Sequence, residues 1–402
     1  MSPDSVEQTT CCIVGGGPAG ALLSLLLARK GTRVTLLEGH KDFDRDFRGD
    51  TLHPSAMEIL DEIGLADSVL QLSHTKLHKL TLRTKTNSFT MVDLSVLKTR
   101  FPYITLMPQA RFLEFITEQA QKYPGFKLLM GAHARELIME NGICRGVRYQ
   151  GSNEEERELR ALLTVAADGR FSRLRKLAGL EPVKSSPPMD VLWFRLPKRP
   201  GDTLSFGGRI GQGHMLAILP REDHYQLGYV ILKGSYHLLR EEGMEKFHQS
   251  LLSLAPEFTD RVSSLQGWGQ LAALSVESSC LKQWHKPGLL FIGDAAHVMS
   301  PVGGVGINYA IQDAVVAANV LTRPLQHGRV NESDLAAVQK QRYFTTRVIQ
   351  AFQTFIQNRV IKTALNPDAS FRPPALFRLP LLRALPARLI GFGIRKVHVE
   401  GK

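Results

Sequence analysis

Cysteine is scarce in this 402-residue chain: Cys11 and Cys12 are neighbours, and Cys144 and Cys280 stand alone. They offer no disulfide framework and no C-x₂₋₄-C thiol redox pair. Long apolar runs are missing too. The longest candidate, Ala19 to Ala28, falls well short of the roughly 18 uninterrupted residues of a membrane span. The opening MSPDSVEQTT lacks the basic, apolar and small-residue regions of a secretory signal, so a cytoplasmic protein is expected. No metal is expected. Acid is short at one end only. The formal net charge is +12, and from Lys340 onwards twelve Lys or Arg face Asp368 and Glu400 alone, which is +10 of that total. The body is close to neutral, and nucleic-acid binding is not expected. The length implies two domains or one large composite.

What is present begins with Thr9 to Glu38, TTCCIVGGGPAGALLSLLLARKGTRVTLLE. Thr10 to Val14 has the β-branched, apolar character of a buried parallel strand. Gly15, Gly17 and Gly20 give G-x-G-x-x-G: a tight turn, room for a pyrophosphate at the backbone, and close helix–strand packing. Pro18 and Ala19 open the helix, where proline's missing N–H costs nothing. Gly31 follows Arg29 and Lys30 as a left-handed cap. Arg33 to Leu37 returns as a strand, and Glu38 is placed to accept both hydroxyls of an adenosine ribose. The unit points to a dinucleotide, with FAD and NAD both open.

Pro54 opens a helix with Met57, Leu60 and Ile63 on its apolar face, preceded by the polar loop of Arg48. Residues 79–83 and 88–92 alternate as an antiparallel hairpin. A strand at 103–107 and a helix from Gln109 to Tyr123 follow, then strands at 126–130, 134–140 and 143–149, the last two joined by Asn141-Gly142. The apolar run Ala161 to Ala166 ends in Ala167-Asp168-Gly169, at the strand edge where α/β sheets bind ligands. Residues 190–196, 213–219, 225–232 and 267–277 read as antiparallel strands of one sheet, which the hairpin and the 103–107 strand are expected to join. A helix is expected near 241–254. Leu289 to Ile292 is a buried strand leading into Gly293-Asp294-Ala295-Ala296-His297 and then Pro301-Val302-Gly303-Gly304-Val305-Gly306-Ile307-Asn308. Glycines at a helix N-terminus bring N–H groups and a positive dipole end against a ligand. Residues 310–321 and 332–365 read as helices, the second carrying Val338, Phe344, Val348, Phe352, Phe355 and Ile356 as a partly apolar face.

Gly15–Gly20 with Glu38, Ala167-Asp168-Gly169, and Gly293-Asp294 through Pro301, Gly306 and Asn308 resemble the three fingerprints of the class A, single-component FAD-dependent monooxygenases. That family has the para-hydroxybenzoate hydroxylase fold, and the resemblance covers roughly residues 9 to 325. It implies an α/β protein: a Rossmann-like FAD-binding domain with a parallel central sheet (1–75, 108–185, 286–330), interleaved with an antiparallel-sheet substrate domain (76–107, 186–285), plus C-terminal helices and tail (331–402). It implies non-covalent FAD, with NADPH or NADH as a transient co-substrate. The cofactor-binding residues would be Gly15, Gly17, Pro18, Ala19, Gly20, Glu38, Arg48, Arg111, Asp168, Gly169, Gly293, Asp294, Gly304, Gly306, Ile307 and Asn308. The isoalloxazine ring would lie against Pro301, Gly303 and Gly304. By this resemblance NAD(P)H reduces FAD, O₂ adds at flavin C4a to give a hydroperoxide, and one oxygen passes to an aromatic or polycyclic small molecule.

No Trp-x-Trp-x-Ile-Pro segment of the flavin halogenases occurs, and there is a single G-x-G-x-x-G, so the nicotinamide has no dedicated Rossmann domain. No residue stands out as a catalytic base. Tyr103, Trp193, Phe206, Met215 and Tyr229 fall on substrate-region strands as candidate pocket residues. His297 reads as structural. Two rival functions stay open: a membrane-associated flavoenzyme acting on a quinone precursor or isoprenoid chain, and a non-catalytic flavin-binding protein. The basic, leucine-rich tail 371–402 either packs on the body or a second subunit or touches an anionic membrane surface. Monomer and homodimer are both compatible with the sequence.

Overall fold

The computed structural model describes residues 6–44, 51–204, 206–366 and 384–401. Arg48 and the 371–383 part of the tail lie outside the described residues. The chain opens with β1 (Val6–Val14), α1 (Pro18–Arg29), β2 (Val34–Glu38), β3 (Thr51–Leu52), α2 (Pro54–Glu62) and α3 (Ala66–Val69). Strands β4 (Thr75–Leu77), β5 (Lys79–Arg83), β6 (Ser88–Asp93) and β7 (Ile104–Leu106) precede α4 (Gln109–Gln121). Then come β8 (Phe126–Met130), β9 (His133–Glu140), β10 (Ile143–Gln150), β11 (Glu156–Ala166), α5 (Arg173–Leu177) and β12 (Val183–Ser185). The antiparallel region holds β13 (Met189–Pro197), β14 (Gly207–Gly211), β15 (His214–Pro220), β16 (His224–Leu232), α6 (Tyr236–Glu242), α7 (Met244–Leu254) and β17 (Ala272–Leu274). The rest is β18 (Ser278–Cys280), β19 (His285–Lys286), β20 (Leu289–Phe291), β21 (His297–Val298), α8 (Gly306–Gln326), α9 (Glu332–Ile356), α10 (Lys362–Ala364) and α11 (Ala384–Phe392).

An eight-stranded sheet carries the order β19-β20-β11-β1-β2-β8, with β10 and β9 added beside β11. Its centre is parallel, and β1 is buried along its last residues as a central strand must be. Helix α1 is buried on nearly every residue because it lies between β-sheet and α8, which its uniform Ala/Leu composition permits. Cys11 and Cys12 are fully buried, and burial pushes the Cys11 thiol up to about 12, so it stays protonated. The Asn141-Gly142 turn has φ of 49° and 78° at its two residues, the pair of positive values a tight hairpin needs.

A seven-stranded sheet, order β17-β13-β16-β15-β14-β5-β6, joins the 79–93 hairpin to the 189–274 region. The 103–107 strand does not join it. β7 instead pairs with β3 and β4 in a separate three-stranded sheet, because Thr105 and Leu106 find their partners at Thr51, Leu52 and Lys76. The continuous strand expected over 267–277 is mostly absent. Trp268 turns in to stack on Phe247, Trp268–Gln270 forms a 3₁₀ turn, and only Ala272–Leu274 pairs with β13. Strand β14, GGRIG, was not legible because its glycines hide the alternation. The helix expected near 241–254 is two helices broken at Gly243, whose φ is 90°.

Helix α9 corrects another expectation. Phe344 is 67% exposed and Phe355 47% exposed, so neither belongs to the inner face. That face is instead Leu335, Val338, Arg342, Thr345, Thr346, Ile349, Gln350 and Gln353. Of the tail, residues 384–401 lie on the body. His53 bonds the Ile390 carbonyl, Lys396 pairs with Glu58, His398 with Glu62, and the Glu400 N–H donates to Asn319.

Candidate cofactor and active site

Register places the three motifs side by side. Val14 stands opposite Leu37 on one side and Ala166 on the other, and Ala166 stands opposite Phe291. The Gly15 turn, the Ala167–Gly169 loop and the Gly293–Asp294 loop therefore leave the carboxyl ends of adjacent parallel strands, the edge where such sheets bind ligands. The Gly15 N–H donates to Leu37 O at 2.7 Å, Ala167 N–H to Val14 O at 2.8 Å and Ile292 N–H to Ala166 O at 3.0 Å. Gly15 has φ of 105°, and a Cβ there would sit 2.4 Å from the Ala167 oxygen. A Cβ on Gly20 would sit 2.0 Å from the Gly15 oxygen, so only glycine lets α1 close on its own turn. A Cβ on Gly293 would lie 3.1 Å from Ala19, which ties the third loop to the first.

The donor set fits FAD. Gly17 caps α1 with no side-chain hydrogen bond and no acid in the first turn, and a Cβ on it would meet nothing within 4 Å. The helix N-terminus therefore faces open space with its N–H groups available to a pyrophosphate. Helix α8 begins in the same way at Val305, uncapped by any side chain and without acid in its first turn. Glu38, 7% exposed, sits at the end of β2, where its Oε2 accepts from Gly16 N–H at 2.8 Å and its Oε1 from His40 N–H at 2.9 Å.

Asp168 is a loop anchor in this structure. It accepts from Ser172 Oγ at 2.5 Å and from Leu174 N–H at 3.1 Å, yet burial outweighs these bonds and raises its pKa. Gly169 has φ of 80°. Arg175, which the sequence did not single out, links the second motif to the third. Its guanidinium donates to Ala295 O at 2.9 Å and to Arg170 O at 2.7 Å. Asp294 is half-buried on the same edge.

The 301–304 turn is held from several sides. Gly303 and Gly304 have φ of 79° and 63°, and Thr51 Oγ1 donates to Gly304 O at 2.8 Å. Asn308 is not free to face a ligand. Its amide donates to Thr51 O at 3.1 Å and accepts from His53 N–H at 2.8 Å, so its work is to fasten β3 to the turn. Gly306 and Ile307 begin α8, four residues earlier than the helix read from sequence. Arg111 is on the first turn of α4, 71% exposed and 3.5 Å from Glu114.

His297 is structural in geometry. Its Nε2 lies 2.6 Å from Asp313, whose other oxygen accepts from Arg342 Nε at 2.7 Å, and Asp313 is fully buried. Burial alone would raise Asp313, but His297 and Arg342 outweigh it and hold the carboxyl below the usual range. Asp313 also accepts from Gly293 N–H at 3.0 Å. The lone acid in the apolar run AIQDAVVAANV was a signal that could have been read.

The five candidate pocket residues do not converge. Trp193 and Met215 lie on the sheet face that also carries Val191 and Val230, and Val302 of the turn packs against the same buried cluster. Tyr229 is paired with Leu192 and Leu216 on the opposite face, under α7, with its hydroxyl 2.6 Å from Ser250. Phe206 packs against the buried cluster of Leu77, Val92, Leu94, Ile104, Leu106 and Ala387. Tyr103 is buried against Phe101 and His78.

A family model described as FAD binding domain matches residues 8–351. The 6-methylpretetramide 4-monooxygenase of Streptomyces rimosus is 32% identical over 403 residues, covering 99% of this chain and 96% of that protein. Among solved structures, P. aeruginosa PqsL in complex with 2-aminobenzoylacetate matches with TM-score 0.76 at 20% identity, over 90% of this chain and 98% of that one. OxyS anhydrotetracycline hydroxylase from Streptomyces rimosus matches with TM-score 0.74 at 23% identity, over 98% and 78%. Together with the dinucleotide edge and its uncapped helix ends, these place the chain in the FAD-binding-domain family, as a class A FAD-dependent monooxygenase that takes its electrons from NAD(P)H.

Proposed function

We propose that the chain hydroxylates a polycyclic aromatic molecule held between the 301–304 turn and one face of the seven-stranded sheet. The observation that carries this is one buried cluster, Met189, Val191, Val230, Val276, Ile361 and Leu365, against which Val302 of the turn and the half-buried Trp193 and Met215 all pack, so that an indole and a thioether share their support with the turn. An indole offers a flat apolar surface suited to a fused ring system. Trp193 has room there because its partner across β16 is Gly228, where a Cβ would come within 3.0 Å of the ring. The full-length relative that acts on 6-methylpretetramide supports the same substrate class.

Bound FAD supplies the two-electron reduction of O₂ that a protein side chain cannot. The chain's own residues bind, orient and exclude water. The α1 N-terminus and Glu38 hold the adenylate end, Asp294 and the carboxyl edge of β20 hold the middle, and the 301–304 turn with α8 supports the ring. Apolar side chains from Trp193 and Met215 keep bulk water from the reacting face. Among the described residues no helix is long and apolar enough to cross a membrane.

The test is substrate-stimulated NAD(P)H oxidation by the yellow holoprotein across simple phenols, anthraquinones, tetracyclic polyketides and prenylated quinone precursors. Stimulation by the fused-ring compounds, with a product heavier by one oxygen, is expected. Turnover confined to monocyclic phenols or prenyl chains would refute the proposal.

A further inference from the structure

Helix α9 carries Gln350 and Gln353, and Gln357 follows as its C-cap residue, at i, i+3 and i+7 on one face. All three are buried, at 6%, 2% and 2% exposure. Glutamine amides are poor core material unless their polar atoms are paired, so their partners matter. Gln350 Nε2 donates to Ser279 O at 2.9 Å and to Val298 O at 3.1 Å. Gln353 Nε2 donates to Ser300 O at 2.9 Å and to Val302 O at 2.8 Å. Gln357 Nε2 donates to Ser300 Oγ, which also accepts from Val302 N–H at 3.3 Å.

The acceptors form a series: carbonyls 298, 300 and 302 along a chain whose sheet pairing ends with β21. Pro301 has φ of −67° and ψ of −9°, so the chain bends there and brings the Ser300 and Val302 carbonyls to the one amide of Gln353. The amide orientation of Gln353 is forced, because both its partners only accept. Its Oε1 is left buried without a partner, so the side chain is committed to holding these two carbonyls. The last of them belongs to Val302, the first residue of the turn of Val302 to Gly304. A π turn, Gln357–Ile361, interrupts the helix where the ladder ends.

We propose that Gln350, Gln353 and Gln357 are positioning residues for the flavin: a side-chain ladder at the end of α9 that holds residues 298–302, where sheet pairing stops at Val298, and sets the height of the 301–304 turn against the ring. The proposal rests on the reading that this turn faces the flavin. Because the ladder approaches the turn step by step, its effect on the flavin grows from Gln350 to Gln353.

The experiment compares holoenzyme and apoenzyme of Gln350→Met and Gln353→Met with wild type. It measures FAD dissociation constant, visible absorption spectrum, reduction potential, melting temperature and peroxide released per NAD(P)H. Pro301→Ala serves as a control for the turn itself. Gln353→Met is expected to shift the spectrum and potential, to raise peroxide release, and to lower the coupled hydroxylation rate by about tenfold to a hundredfold. Gln350→Met lowers the melting temperature with a smaller flavin effect. If Gln353→Met lowers only the melting temperature while Pro301→Ala does shift the flavin spectrum, the ladder is structural and the proposal is wrong. If neither variant alters the spectrum, potential or affinity, the turn does not face the flavin and the reading beneath the proposal fails with it. Should Gln353→Met not fold, equal flavin shifts in Gln350→Met and Gln357→Met variants would contradict the graded effect.

Discussion

Acidification should loosen the attachment of α11 through one residue, His53. It is fully buried, and its Nδ1 donates to Ile390 O at 2.8 Å, which fixes the proton on Nδ1. Its Nε2 is buried with no partner, so a second proton has nowhere to go. Burial accordingly lowers its pKa from 6.5 to about 4, with the Ile390 bond opposing only in part. In the unfolded chain the histidine protonates near 6.5, so between there and pH 4 the unfolded state binds more protons. The contribution to stability is complete above pH 6.5 and is lost as pH falls towards 4. From those two values the loss between pH 7 and pH 5 is about 2 kcal/mol. His53→Gln keeps an amide donor for Ile390 O but does not titrate. At pH 7 it should be less stable than wild type by about 1 kcal/mol, for lost packing. The gap should close and reverse by pH 5. The assay is urea unfolding of both holoproteins at pH 7, 6 and 5. His214 and His285, whose pKa values burial also lowers, titrate alike in both proteins and cancel. Parallel stability curves would refute the reasoning.

Further outcomes follow for single substitutions. Gly20→Ala should fail to give soluble protein, since its Cβ would meet the Gly15 oxygen at 2.0 Å. Gly17→Ala should fold normally but bind FAD about tenfold more weakly, equivalent to about 1.4 kcal/mol, measured by titrating apoprotein. Asp313→Asn removes the carboxylate shared by His297 and Arg342 and leaves the arginine, 1% exposed, without its counter-charge. It should cost about 3–5 kcal/mol in urea unfolding at pH 7. Trp193→Ala should raise KM by about tenfold or more at nearly unchanged melting temperature. Tyr229→Phe, which loses only the Ser250 bond on the other face of the sheet, should leave kinetics alone and cost about 1 kcal/mol.

The dinucleotide unit was legible in detail because its constraints are local. Gly15, Gly20 and Gly31 are demanded by backbone geometry within a few residues, and sequence records such demands directly. The antiparallel strands that alternate were legible for the same reason. Strand β14 was not, since GGRIG has too few side chains to show a period. Facing was harder. Which of Trp193 and Tyr229 looks towards the turn depends on the register of β13 against β16, and nothing in either strand states it. The buried polar partners were the hardest. Arg175, Gln350 and Gln353 bond backbone carbonyls far away in the chain, and a carbonyl carries no residue identity to read. Phe344 and Phe355 of α9 face outward, so apolar residues alone do not mark its inner face.

The central position of β1 has a consequence for how the protein comes into being. One neighbour, β2, follows directly after the α1 crossover, but the other must wait for Glu158, which pairs with Val6, and the edge beyond that waits for Leu289. A nascent chain thus exposes one apolar strand edge until residue 166 is made and another until residue 291, and non-local closure of this kind is slow. Flavin can be captured only at the close of that process. Riboflavin supply and slow, cool expression should therefore govern the yield of coloured, active protein more strongly than any surface substitution.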